Sequence, residues 1–113
     1  MVWLSIYILS DGAMDITVKK LVTIITEAAL EDNLRNELPG LGATGYTIVN
    51  ARGRGSRGVR DAGWSTSGNI RVEVVCDPEI AVRIAAHLRD RYYENFAMIT
   101  YMSDVEVLRA EKF

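Results

Sequence analysis

"GATGYTIVNARGRGSRGVRDAG", from Gly42 to Gly63, opens as a strand and ends as a loop that carries four arginines on glycine-rich backbone. Tyr46 to Asn50 reads as a strand, and the stretch from Arg52 to Asn69 is too long for a hairpin turn. Structureless loops beyond ~12–15 residues are usually functional or disordered. Gly53, Gly55 and Gly58 separate Arg52, Arg54, Arg57 and Arg60, with Ser56 at the centre. Such glycines let successive N–H groups face one concavity, and the arginine fork matches phosphate or carboxylate oxygens. The residues themselves leave three readings open: an anion-binding switch loop, a solvated mobile loop, or a Gly/Arg segment that binds single-stranded nucleic acid. Trp64 is the loop's one stacking platform, which weakens the last. No Gly-Lys-Ser/Thr ends the loop and no helix starts where a pyrophosphate would sit, so it is neither a Walker A loop nor a dinucleotide fingerprint.

The rest of the chain gives this loop a frame. With 113 residues, 49% of them apolar, the sequence fits a single domain spanning 1–113. A net charge of −2 argues against a broadly basic surface, so any anion site is local. One cysteine, Cys76, excludes an intrachain disulfide, and a single histidine leaves no Cys/His metal set, which makes a reducing cytoplasm the default. The apolar run Val2 to Leu9 is far shorter than the ~20 residues of a membrane span and lacks the basic start of a secretory signal. It reads as a strand ended at Ser10-Asp11-Gly12, within an N-terminal extension, 1–16; alternatively Met14 is the natural start.

Val18 to Thr26 is short and β-branched, a strand. Leu30, Leu34 and Leu38 then recur every fourth residue before Pro39-Gly40, which predicts an amphipathic helix over Glu27 to Leu38. Ile70, Val72, Val74 and Cys76 alternate with Arg71, Glu73 and Val75 as a further strand. Asp77-Pro78 opens a second helix as N-cap and first residue, with Ile80, Ile84, Leu88 and Tyr92 on one face. Phe96 to Met102 and Val105 to Leu108 read as two last strands around Ser103-Asp104. The order β-α-β-β-α-β, with extra short strands and the long loop, predicts an α+β, ferredoxin-like antiparallel sheet with both helices on one face. Strands apolar on both sides imply that the other face is covered by self-association in a closed ring.

Chemistry outside the loop is sparse. His87 lies with Arg83, Asp90 and Arg91 at helical spacings, on a stripe expected to face solvent, in a structural or neutral role. Cys76 behaves as a small hydrophobe. Asp104 and Glu106 read as edge-strand protection. Nucleophile, base and orienting group do not occur together, so no enzyme is expected and catalytic residues are none.

The segments "KKLVTIIT-E", "GATGYTIVNARGRGSRGVR" and "YYENFAMITYMSDVEVL", together spanning Lys19 to Leu108, resemble the PII signalling superfamily. The nearer likeness is to its PII-like inorganic-carbon branch, the carboxysome-associated PII proteins and the SbtB-type regulators of bicarbonate transporters. Its most specific part is Gly45-Tyr46-Thr47 followed by Gly53 to Arg60. The resemblance implies a ferredoxin-like homotrimer with nucleotide sites between subunits, and residues 52–69 as the T-loop that changes shape with ligand and docks on a target. It assigns Thr47 and Gly55 to the nucleotide, and Ser56, Arg57 and Arg60 to its phosphates. Glu94 to Met98 of a neighbouring subunit, with Ala97 and Met98, would close the site, and Gly58, Val59 and Arg60 would hold bicarbonate.

This chain also departs from nitrogen-sensing members. "YYENFAMI" lacks the lysines that cradle a triphosphate, which favours AMP or ADP over ATP. No tyrosine lies between Arg52 and Asn69, and no cysteine-containing C-terminal loop follows. The reading is a cytoplasmic sensor of ADP or AMP and bicarbonate that regulates carbon uptake or carboxysome-linked fixation. An AMP- or cyclic-AMP-responsive regulator of a membrane bicarbonate transporter is the alternative, and slow hydrolysis of the nucleotide is a further option.

Overall fold

The computed structural model describes the backbone of residues 3–9, 12–55, 58–60 and 68–113, and the side chains of 14–54 and 68–113. Strand β1 (Trp3–Leu9) pairs antiparallel with a long β2 (Gly12–Glu27), which a 3-10 turn (Ala28–Leu30) joins to helix α1 (Glu31–Glu37). β3 (Thr47–Ala51), a short ribbon of β4 (Gly53–Gly55) and β5 (Gly58–Arg60), and β6 (Asn69–Cys76) follow. Helix α2 (Pro78–Arg91) and β7 (Met98–Val107) complete the fold.

β2 is the central strand. Along Lys20 to Glu27 it pairs β6, along Thr17 to Thr26 it pairs β7, and β3 pairs the far side of β6. The order β3-β6-β2-β7, antiparallel throughout, is the ferredoxin-like sheet expected from the sequence. Thr17 and Val18 pair β7 on one side and β1 on the other, so β1 continues the edge that β6 leaves at Lys20.

One face carries the core. Val22 and Ile24 of β2, and Ile70, Val72 and Val74 of β6, are buried beneath Leu30, Leu34 and Leu38 from the first helical segment and Ile84, Leu88 and Tyr92 from α2. Both four-residue periodicities therefore mark inward faces, and each fully buried aliphatic side chain contributes roughly 1.5–3 kcal/mol. The opposite face is uncovered in the single chain. Its lateral rows run Thr47, Glu73, Thr23, Tyr101 and then Val49, Arg71, Ile25, Ile99. Ile99 and Tyr101 are 41% and 50% exposed, as apolar surface on the edge strand β7.

Several boundaries differ from the sequence reading. β2 begins at Gly12, not Val18, because β1 and β7 supply ladder partners for its first half. The two expected C-terminal strands are one: Ser103 and Asp104 stay in the ladder opposite Leu21 and Lys20, and Lys20 Nζ lies 2.7 Å from the Asp104 carboxylate. Asp77 occupies the N-cap position of α2, but its carboxylate makes no cap hydrogen bond. Instead it takes the ammonium of Lys19 at 2.6 Å, a stronger charge-assisted partner.

Candidate functional site

The arginine-rich loop arises where β3 leaves the sheet at Ala51 and returns at Asn69, the last paired rung of β3 and β6. Its described parts are extended: Gly53 pairs with Arg60, Arg54 with Val59 and Gly55 with Gly58. The N–H nest expected from the glycines is absent from these two segments, since extended backbone points successive N–H groups to opposite sides. The anion-directed groups that the structure does present are guanidiniums.

At the base of this ribbon a groove of about 200 Å³ opens on the uncovered sheet face, lined by Ile25, Ala51, Arg52, Gly53, Arg54, Asn69, Arg71 and Ile99. Its floor is apolar, from Ile25 and Ile99, and its rim carries three arginines and, among the described residues, no carboxylate. Arg71 Nε lies 3.4 Å from Glu73 on the same strand, whereas no ion pair among the described residues involves Arg52 or Arg54. A cationic rim over an apolar floor suits an anion attached to a flat apolar body. The sequence places Arg52 and Arg54 among the arginines of an anion-binding loop, but it does not disclose Arg71 beside them. The alternation of β6 places Arg71 outward, but its alignment with Ile25, Ile99 and Val49 depends on cross-strand register that one strand does not reveal.

The expected site residues divide as follows. Thr47 begins β3, exposed and opposite Glu73 on the same open face, one row from the groove. Gly55, Gly58, Val59 and Arg60 lie in the β4–β5 ribbon, where the backbone alone is described. Ser56 and Arg57 lie outside the described residues. Ala97 and Met98 sit across the sheet at the same end, where β7 begins. Met98 packs against the core, opposite Thr26. Ala97 is held at both backbone groups: its N–H donates to Glu27 Oε2 at 2.9 Å, and its carbonyl accepts from Thr26 Oγ1 at 2.8 Å.

The turn that leads to Ala97 rests on a polar cluster between the helices. Tyr92, 2% exposed, donates from its hydroxyl to Glu37 Oε2 at 2.6 Å, and His87 Nε2 lies 2.6 Å from Glu37 Oε1. Arg91 Nε approaches the same carboxylate at 3.3 Å. Phe96 stacks edge-on against Tyr92 at 5.8 Å between ring centres, and its N–H bonds the Tyr92 carbonyl. His87 is thus no solvent-facing stripe residue: its ring is turned to α1, where Glu37 supplies a partner that helical spacing within α2 could not disclose. Cys76 is buried, and its thiol is pushed up by burial and by the neighbouring Asp77. Among the described residues, no group of His, Cys, Asp and Glu could hold a metal ion, and no helix is long and apolar enough to cross a membrane.

The chain is similar to known proteins over most of its length. The structure described as a PII-like signalling protein of Thermus thermophilus is 46% identical, with a TM-score of 0.76 over 88% of this chain and 99% of that one. CPII of Thiomonas intermedia, bound to ADP and bicarbonate, is 25% identical with a TM-score of 0.77, over 87% of this chain and 96% of that one. CPII bound to ADP, AMP and bicarbonate is 24% identical at a TM-score of 0.78, covering 87% and 95%, a likeness of fold. The family model described as nitrogen regulatory protein P-II matches residues 19–112, which include every residue of the core cluster and the arginine-rich loop. The chain is therefore a member of the P-II family of signalling proteins.

Proposed function

We propose that this P-II family protein is a cytoplasmic sensor that binds ADP or AMP together with bicarbonate and signals their presence through the T-loop. The observation that carries the reading is the arginine-rimmed groove, with its apolar floor, at the root of that loop. The relative CPII, of similar fold, is bound to ADP and bicarbonate, a pair of anions that such a rim would suit. Thr47, Gly55, Ser56, Arg57 and Arg60 would meet the nucleotide, Ala97 and Met98 would close the site, and Gly58, Val59 and Arg60 would hold bicarbonate. The turn from Tyr93 to Ala97 has no lysine or arginine, which favours a nucleotide with fewer phosphates than ATP.

The working form in this reading is a homotrimer. Ile99 and Tyr101, exposed on the open face of the edge strand β7, are the kind of apolar surface that self-association covers. The target would belong to inorganic-carbon uptake or carboxysome-linked fixation, with a membrane bicarbonate transporter as the other candidate. Binding of either ligand must strengthen the other by the same factor, typically 5–150-fold where coupling exists.

Titration calorimetry with AMP, ADP, ATP and cyclic AMP, each with and without bicarbonate, tests the proposal. Tighter ADP or AMP binding in bicarbonate supports it, and Arg60→Ala then weakens both ligands. Nucleotide binding indifferent to bicarbonate would move the function to the transporter regulator, and a protein that binds none of the four would sink the nucleotide reading.

A further inference from the structure

The end of β2 does two jobs within three consecutive residues. Thr26 and Glu27 hold Ala97 by its carbonyl and its N–H. The next residue, Ala28, donates its N–H to the carbonyl of Gly68 at 3.0 Å, where the T-loop returns to the sheet. Glu27 is also the rung partner of Asn69, the first residue of β6 and part of the groove lining. One short segment therefore connects the exit of the T-loop with the Tyr93–Ala97 turn.

The turn needs such an anchor. At its start it is fixed by Tyr92, whose carbonyl accepts the N–H groups of Asn95 and Phe96. At its end the β7 ladder begins only at Met98, so the Ala97 N–H has no strand partner. The Glu27 carboxylate occupies that vacant rung as a side-chain substitute for backbone. Thr26 is 0% exposed and locks the opposite group of the same residue. A carboxylate–amide bond of this kind is stronger than a neutral one and sets the orientation of the peptide as well as its position.

We propose that Glu27 is a positioning residue for the nucleotide site: it holds the Tyr93–Ala97 turn in place and joins that turn to the start of β6 at Gly68 and Asn69. This rests on the nucleotide-sensing reading above. Glutamine keeps an acceptor oxygen at the Ala97 N–H, whereas alanine removes it. The affinity effect of Glu27→Ala is therefore one that Glu27→Gln restores, and the backbone site between the two segments gives it a local signature.

The test measures ADP affinity by calorimetry, and backbone amide exchange of residues 93–97, in the full-length protein and in Glu27→Ala, Glu27→Gln and Thr26→Val. The expected result is ADP binding weakened about tenfold in Glu27→Ala and within about threefold in Glu27→Gln, with exchange in 93–97 accelerated at least about tenfold in Glu27→Ala alone of the Glu27 pair. Thr26→Val, which keeps the Glu27 bond, gives a smaller loss of affinity and secures the test if Glu27→Ala fails to fold. ADP binding unchanged in Glu27→Ala overturns the positioning role and leaves the nucleotide reading intact. Loss in Glu27→Gln equal to that in Glu27→Ala also overturns it, because the hydrogen bond would then not be the cause. Failure of the unmodified protein to bind ADP overturns both.

Discussion

Tyr92 and Glu37, one at the end of α2 and the other at the end of α1, meet through a 2.6 Å hydrogen bond that locks the two helices together over the core. Burial pushes the Glu37 carboxyl up, but the hydrogen bonds from His87 and Tyr92 and the nearby Arg91 outweigh it, so the group lies below its ordinary value. Burial also raises the Tyr92 phenol, and the Glu37 carboxylate raises it further. A carboxyl depressed in the native state adds stability that is complete above its unfolded value, ~4.3, and is lost as pH falls through the native one. Glu37→Gln is expected to cost about 1–3 kcal/mol at pH 7 and progressively less as pH falls from the unfolded carboxyl's value, ~4.3, through the lower native one. Urea unfolding midpoints from pH 7 to pH 3 check this; a difference between the two proteins that stays constant across the range contradicts it.

Gly42 closes the 3-10 turn Pro39–Leu41 in the left-handed region, with φ of 106°. A Cβ there would come within 2.5 Å of Ile80 Cδ1, at the start of α2. The side-chain tip can move, but the backbone conformation cannot be adopted comfortably by any L-residue with a Cβ. Gly42→Ala is expected to lower stability by roughly 1–2 kcal/mol through backbone strain, whereas Gly40→Ala, with open space around it, stays within about 0.5 kcal/mol. Thermal denaturation of the two variants side by side gives the comparison, and equal melting temperatures would refute the strain argument.

The groove arginines are unequal. Arg71 already faces Glu73 at 3.4 Å, so an arriving anion competes with a carboxylate for it. Arg52 and Arg54 carry no such pair among the described residues. Arg52→Ala and Arg54→Ala are expected to weaken ADP binding roughly 10- to 100-fold each, and Arg71→Ala by less, as loss of a charge-assisted hydrogen bond costs roughly 1.5–3 kcal/mol when nothing else competes for the donor. Glu73→Gln is expected to tighten binding severalfold by releasing Arg71. Calorimetry at a single fixed ionic strength decides this, because salt screens exposed charges. Weaker binding by Glu73→Gln would place the anion elsewhere.

The sequence disclosed what depends on local period. Leu30, Leu34, Leu38, Ile84 and Leu88 all came out buried, because a four-residue spacing places them on one helix face whatever the helix packs on. The sheet order followed from the alternation of strands and helices. What it could not disclose depends on partners distant in the chain. Ser103-Asp104 looks like a turn until Lys20 and Leu21 are set opposite, and His87 looks solvated until Glu37 arrives from α1. Arg71 joins Arg52 and Arg54, and Glu27 meets Ala97, only through cross-strand register. The loop arginines are legible in the sequence as candidates for an anion; the groove beside them depends on the sheet.

The N-terminal hairpin should be separable from ligand sensing. β1 pairs only residues Gly12 to Val18 of β2, whereas the groove touches that strand at Ile25, and the family match starts at Lys19. From Val18 to Ile25 an extended strand covers about 23 Å at ~3.3 Å per residue, more than two Debye lengths at physiological salt. The pairing of β2 with β6 and β7 over Lys20 to Thr26 does not involve β1. A variant beginning at Met14 is therefore expected to bind ADP within about twofold of the full chain and to keep the same oligomeric state, while losing some thermal stability as the first half of β2 gives up one ladder. Calorimetry with light scattering on both forms measures this. A tenfold change in affinity, or a different assembly, would mean that the hairpin reaches a neighbouring subunit and takes part in its site.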